Sequence, residues 1–151
     1  MLPLLLLDVD GVLFPIGAAI PPGYEVHETD HYHVVLNQNH GTWLNELSEY
    51  FELVWATTWE GQANHVIGPR LGLPELPVIH FEMGDGETRK LPSVQEFAGQ
   101  RDLAWVDDEL YADAHAWSDM RAPRSFLVQP QAAVGLTRRH IDALLAFAAA
   151  D

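Results

Sequence analysis

The apolar positions of this chain fall in short, nearly unbroken blocks. Leu4–Val9, Phe51–Ala56, Pro77–Phe81, Leu103–Val106 and Ser125–Val128 each read as a strand. Such runs lack strict alternation, as a parallel sheet covered on both faces requires. Helical patterns lie between and after them. Gln38–Tyr50 places Trp43, Leu44 and Leu47 at helical spacing behind Asn37, a good N-cap. Glu60–Ile67 predicts a short helix ending at Gly68-Pro69, and Pro92–Gly99 another with proline in its first turn. Leu110–Met120 follows, and Thr137 caps Arg138–Ala149, with Ile141, Leu144, Leu145 and Ala148 on one face. Alternating strands and helices predict an α/β fold with right-handed crossovers. Tyr24–Leu36 breaks the pattern: Glu25–Glu28 and His31–Val35 flank Thr29-Asp30 and read as a β-hairpin. It follows the first strand and is placed to overhang that strand's end.

Length and composition bound the rest. A chain of 151 residues, 48 % hydrophobic, reads as one domain over 1–151 with a core of its own. It contains no cysteine, which excludes disulfides and thiolate metal sites. The leading MLPLLLL lacks a basic flank and a small-residue cleavage site, and no apolar run reaches membrane-span length. The expectation is therefore a cytoplasmic chain without a membrane partner. A net charge of −14 argues against an extensive nucleic-acid-binding face. It leaves room for a small anionic substrate held by one local cation. Against seven arginines stands a single lysine, Lys90. Arginine-biased usage accounts for that, or Lys90 serves where a compact point charge is needed.

Candidate chemistry gathers at the strand ends, where open α/β sheets bind their ligands. The first strand runs into Asp8 and Asp10 and then Gly11; the second into Thr57 and Thr58; the fourth into Asp107 and Asp108. Lys90 precedes the helix that leads into that fourth strand. Carboxylates at the end of a buried run need compensation. Oxygen ligands without cysteine suit a hard cation, Mg²⁺ above all. Asp8 then reads as a carboxylate nucleophile and Asp10 as a general acid and base. Lys90 and Thr57 would hold the phosphoryl oxygens, and Gly11 would let the backbone approach them.

These residues resemble the motifs of the haloacid-dehalogenase-like (HAD) superfamily. DVDGV, with Asp8 and Asp10, is similar to its first motif; Thr57 after Leu53–Ala56 to its second; Lys90 to its third; Asp107-Asp108 after Leu103–Val106 to its acidic fourth. The resemblance implies a Rossmann-like three-layer α/β/α sandwich around a mostly parallel five-stranded sheet. It also implies a squiggle and β-hairpin flap, which Gly11–Leu36 fits. It implies that Asp8 attacks phosphorus and that Asp10 ligates Mg²⁺ by its backbone carbonyl while its side chain moves protons. Asp108 would be the direct ligand of the acidic pair, and Asp107 would position Lys90 or a bound water. The second aspartate favours phosphate esters over carbon–halogen bonds, because a halide leaving group needs no proton. The short connections leave no room for a large cap domain. Among capless members the chain is similar to the small HAD domains of Swiss Army Knife RNA repair-type proteins.

The resulting expectation is a Mg²⁺-dependent phosphatase forming an aspartyl-phosphate on Asp8. Its substrate would be a small phosphomonoester or an exposed phosphate on a larger molecule. A phosphotransferase with an acceptor other than water, and a non-catalytic Mg²⁺-binding interaction module, remain as alternatives. Nothing in the chain demands an oligomer. Trp59 either stacks on a substrate base or, more ordinarily, packs the second helix on the sheet. His27, His31 and His33 recur at period two, so one flap face carrying a transition-metal site is conceivable. Arg70, Arg89 and Arg124 are candidates for a distal anion of the substrate, with solvation as the ordinary alternative.

Overall fold

A computed structural model describes residues 1–150. Four parallel strands form the central sheet in the order β4-β1-β5-β6: β1 (Leu4–Leu7), β4 (Glu52–Trp55), β5 (Leu103–Val106) and β6 (Ser125–Val128). Leu4 aligns with both Glu52 and Leu103, and Leu103 with Ser125, so the four carboxyl ends finish at one edge. β2 (Glu25–Glu28) and β3 (His33–Leu36) form a separate antiparallel hairpin.

The strands are apolar throughout because both faces are covered. Leu5, Leu7, Leu53, Trp55, Ala104 and Val106 point into a core with α1 (Gln38–Leu47) and α4 (Arg138–Ala149). Leu4, Leu6, Val54, Leu103 and Trp105 point the other way, against α2 (Leu91–Ala98) and α3 (Ala112–Met120). The result is the expected three-layer α/β/α arrangement without a large cap. All four β1 leucines are buried, each contributing about 1.5–3 kcal/mol by burial. Asn37 caps α1 by accepting a hydrogen bond from the Asn39 N–H at 2.9 Å.

Three expectations need correction in detail. The sheet has four strands, not five: Pro77–Phe81 makes only an isolated bridge, Val78 beside Trp55. Two hydrogen bonds tie it to β4, from the Trp55 N–H to Pro77 O and from the Ile79 N–H to Trp55 O. Pro74 and Pro77 have no N–H with which to extend that ladder. Glu60–Ile67 is not an α-helix but a turn followed by one π-helical turn, Ala63–Ile67, and a 3₁₀ turn, Pro69–Leu71. Gly61, Gly68 and Pro69 weaken a regular helix here, and the Asn64 side chain is drawn away to Leu76 and Trp55. Finally, the three flap histidines do not share a face. His27 opposes Val34 whereas Glu28 opposes His33, so His27 and His33 lie on opposite sides of the hairpin, and His31 sits in its turn. No histidine-based metal cluster exists among the described residues.

The hairpin base is pinned where the Tyr24 hydroxyl donates to Val134 O at 2.9 Å. Its tip is a turn in which the Thr29 N–H donates to Tyr32 O, and Thr29 Oγ1 accepts from the Tyr32 N–H, both at 2.8 Å. Val34, Val35 and Leu36 are buried, so the flap is anchored to the domain by its second strand.

Candidate active site at the carboxyl edge of the sheet

The chain leaves β1 at the centre of the sheet, and β4 and β5 lie on either side of it. A crevice forms at such a point because the flanking connections run to opposite faces. Here it is a cleft of ≈ 500 Å³, lined by Asp8, Asp10, Thr58, Lys90, Asp107 and Asp108 among others. Residues far apart in sequence meet there because three strand ends and the start of α2 converge.

Lys90 is the hub. Its side chain is only 14 % exposed, and Nζ lies 3.1 Å from Asp8 Oδ1 and 2.7 Å from Asp107 Oδ2. It also donates to Ala56 O at 3.1 Å, at the end of β4. Two carboxylates hold the Lys90 ammonium above its usual range against the opposing effect of burial. Asp107 is engaged on both oxygens: Oδ2 accepts from Lys90, and Oδ1 accepts from the Glu109 N–H at 2.9 Å. That geometry suits a residue that positions Lys90.

Asp8, Asp107 and Asp108 each bring a carboxylate oxygen within 4.8 Å of the others. Burial first, and then the Asp107 charge, push the Asp8 carboxyl well above the usual carboxylate range despite Lys90. Burial and Asp107 likewise push Asp108 up, to about 6. Three carboxylates thus cluster beside one ammonium, and among the described residues Lys90 is the only cation ion-paired with them. An oxygen-only donor set of this kind fits a hard divalent cation. The Asp10 side chain lies outside this cluster.

Asp10 is held from the other side. The Trp59 indole N–H lies 3.2 Å from each oxygen of its carboxylate. Thr57 is fully buried, and its Oγ1 accepts from the Trp59 N–H of the backbone at 3.1 Å. That bond leaves its hydroxyl proton uncommitted, while Thr58 lines the cleft.

Gly11 fits for a double reason. Its φ is +78°, and a Cβ built there would lie 2.4 Å from Asp108 Cγ. Gly11→Ala therefore strains the backbone and displaces Asp108. Weaker Mg²⁺ binding by about tenfold or more is expected, readable by calorimetric titration; an unchanged affinity would break the link between Gly11 and Asp108.

Sequence reasoning missed two supports. Thr88 is buried; its N–H donates to both Asp113 oxygens, at 3.2 and 3.0 Å, and its Oγ1 accepts from the Tyr111 N–H at 2.9 Å. The pair fastens the loop carrying Lys90 to the start of α3. Nothing marks such residues in a sequence, because polar side chains in loops are ordinary. The Trp59–Asp10 bond was equally invisible. Of the three candidate arginines, Arg89 lines the cleft, whereas Arg70 bonds Val66 O and Arg124 bonds Phe147 O.

The fold and the site define an aspartate- and lysine-based centre at the edge of a Rossmann-like sheet. Residues 4–141 match the family described as HAD domain in Swiss Army Knife RNA repair proteins, and the chain belongs to that family. No curated protein and no solved structure matches it. No helix among the described residues is long and apolar enough to cross a membrane.

Raised carboxyl pKa values have a consequence for stability. A carboxyl raised to about 6 stabilises the metal-free fold fully below the ordinary carboxylate value of about 3.9. That contribution is lost as pH rises through about 6. The metal-free protein is therefore expected to lose stability mainly between about pH 4 and about pH 6. Mg²⁺ should restore it, with a larger rise in Tm at pH 7.5 than at pH 5. Melting curves in chelator and in Mg²⁺ at both pH values check this; an equal or reversed Mg²⁺ effect would contradict it.

Proposed function

We propose that this chain is a Mg²⁺-dependent phosphatase that hydrolyses phosphomonoesters through an aspartyl-phosphate on Asp8. The observation that carries the reading is the division of labour around the cleft. Asp8 sits 3.1 Å from the Lys90 ammonium in a cluster of three carboxylates, while Asp10 stands outside that cluster on a separate hydrogen bond. A phosphatase of this kind needs one carboxylate kept as nucleophile and another free to move protons.

In this reading Asp8 Oδ attacks phosphorus, the phosphorus–oxygen ester bond breaks, and Asp10 gives its proton to the leaving oxygen. Asp10 then takes a proton from the water that attacks the phosphorus of the acyl-phosphate, which frees Asp8 and inorganic phosphate. Lys90 and Thr57 would hold the phosphoryl oxygens, with Thr58 and the Gly11 backbone at the edge of the same pocket. Asp8, the Asp10 carbonyl and Asp108 would hold Mg²⁺, with Asp107 beside them. When bound, the ion would neutralise clustered carboxylates and phosphoryl oxygens. Asp107 would keep Lys90 in place.

The test is phosphate release from a panel of aryl, sugar and nucleotide monophosphates, with Mg²⁺ and with chelator. Release that requires Mg²⁺ supports the phosphatase. Release that excess acceptor alcohol diverts into a new ester would favour the phosphotransferase. Mg²⁺ binding without turnover on any substrate would favour a non-catalytic binding module.

A further inference from the structure

Trp59 touches the site in a way that a packing tryptophan does not. Its ring leans on the core, but its indole N–H is spent on Asp10, at 3.2 Å from both oxygens. Its ring meets Tyr32 of the flap, centroid to centroid at 5.2 Å and 42°. The next residue, Glu60, has a φ of +49°, the only non-glycine residue with positive φ among those described. Glu60 is held there because its carboxylate accepts from the Phe81 N–H at 3.0 Å and lies 3.3 Å from His80 Nδ1. A left-handed conformation at glutamate is costly, and Gly61 stands next to it where the same turn would be cheap. The strained turn fixes where the Trp59 ring and N–H point.

Around that ring lies a second groove of ≈ 450 Å³, lined by His31, Tyr32, His33, Thr58, Trp59 and Gln62. It adjoins the catalytic cleft, because Thr58 lines both. Its lining brings together two aromatic rings in contact, two imidazoles and an amide. Tyr32 is 37 % exposed at the tip of the flap.

We propose that this groove is the leaving-group subsite, built to receive a planar aromatic ring carried by the departing alcohol. The assignment rests on the phosphatase reading above. The leaving oxygen must meet the general acid, so the leaving group lies on the Asp10 side of phosphorus. That side is where Trp59 stands. A planar ring there covers the Tyr32–Trp59 pair, and the polar lining offers hydrogen bonds to ring heteroatoms, so a nucleobase fits better than a bare hydrocarbon ring. The acidic chain disfavours a long polyanion, which points to a single nucleotide or a strand terminus.

Binding separates this proposal from the phosphatase reading. The Asp8→Asn protein in Mg²⁺ is titrated with adenosine monophosphate, phenyl phosphate and glycerol phosphate. The ring-bearing ligands are expected to bind about 5- to 20-fold more tightly than glycerol phosphate. Adding Tyr32→Ala, or Tyr32→Leu to retain bulk, should remove most of that preference. Adding Trp59→Phe, which keeps a ring and loses the N–H, should retain it. Adenosine monophosphate binding above phenyl phosphate assigns the groove to a nucleobase, and equal binding assigns it to planar rings in general. No ring preference, or a preference that Tyr32→Ala and Tyr32→Leu leave intact, overturns the subsite. Wild-type turnover is measured in parallel: ring-selective binding without any turnover would sink the phosphatase and with it the leaving-group role, leaving the groove as a ring-binding site only.

Discussion

Asp8→Asn is expected to abolish phosphate release, by at least about 10⁴-fold, while leaving the protein folded and no less stable without metal. The amide is nearly isosteric with the carboxylate but cannot form the acyl-phosphate, and loss of a nucleophile is not compensated by its neighbours. Stability should move in the opposite sense to activity. The Asp8 carboxyl is pushed up by burial and by Asp107, so its ionised form is a burden on the metal-free fold at neutral pH. Removing that charge leaves Lys90 with Asp107 and Ala56 O as partners. Phosphate release and metal-free melting temperature, measured on the same two proteins, check both halves. Activity within tenfold of wild type would end the nucleophile assignment. A large fall in Tm would show instead that the Lys90–Asp8 pair is a net stabiliser.

Among the residues of the site, Lys90→Met should be the most damaging single change for stability. Its ammonium is shared by Asp8, Asp107 and Ala56 O within 3.1 Å, in a site where the side chain is 14 % exposed. Methionine preserves much of the bulk and removes the one cation facing three carboxylates. Breaking a buried pair by deleting one partner costs about 3–5 kcal/mol, because the remaining charge is left uncompensated. Here the remaining charges also repel each other. Denaturant unfolding in chelator measures the loss, and Mg²⁺ should recover part of it. Turnover should fall by about 10²-fold or more, since the point charge beside the attacked phosphoryl group is gone. Lys90→Arg is not expected to rescue either property, because a planar fork does not fit the space of a compact ammonium. A Lys90→Met loss below about 1 kcal/mol would mean that the carboxylates share protons so freely that the lysine is dispensable.

Both expectations have one physical root. The cluster sets three carboxylates against one ammonium, so its ionised form is unfavourable alone and a bound cation would relieve it. Function and stability then pull against each other at Asp8 and with each other at Lys90.

Much of this was legible in the amino-acid sequence. Nearly continuous apolar runs at Leu4–Val9, Phe51–Ala56 and Leu103–Val106 announced parallel strands buried on both faces, and the observed strands Leu4–Leu7, Glu52–Trp55 and Leu103–Val106 fall within them. The carboxylates stood out because Asp8 and Asp107 directly follow apolar blocks, where charge is expensive. The lone lysine among seven arginines was a weaker signal, and the structure brings it to the carboxylates. Local periodicity misjudged Pro77–Phe81 and Glu60–Ile67. In the first, composition is strand-like but prolines deny the ladder its donors. In the second, apolar spacing is helical but Gly61 weakens a helix, and the Glu60 and Asn64 side chains serve other contacts.

What the sequence by itself determined is the set of elements and the chemical types at their ends, because burial and hydrogen bonding act locally on each run. The tertiary structure alone decided which of those groups touch. Lys90 between Asp8 and Asp107, Trp59 on Asp10, Thr88 on Asp113 and Tyr32 on Trp59 join residues 17 to 82 positions apart. Strand order and helix packing set those meetings, and side-chain distances of about 3 Å are fixed only once the whole sheet has assembled.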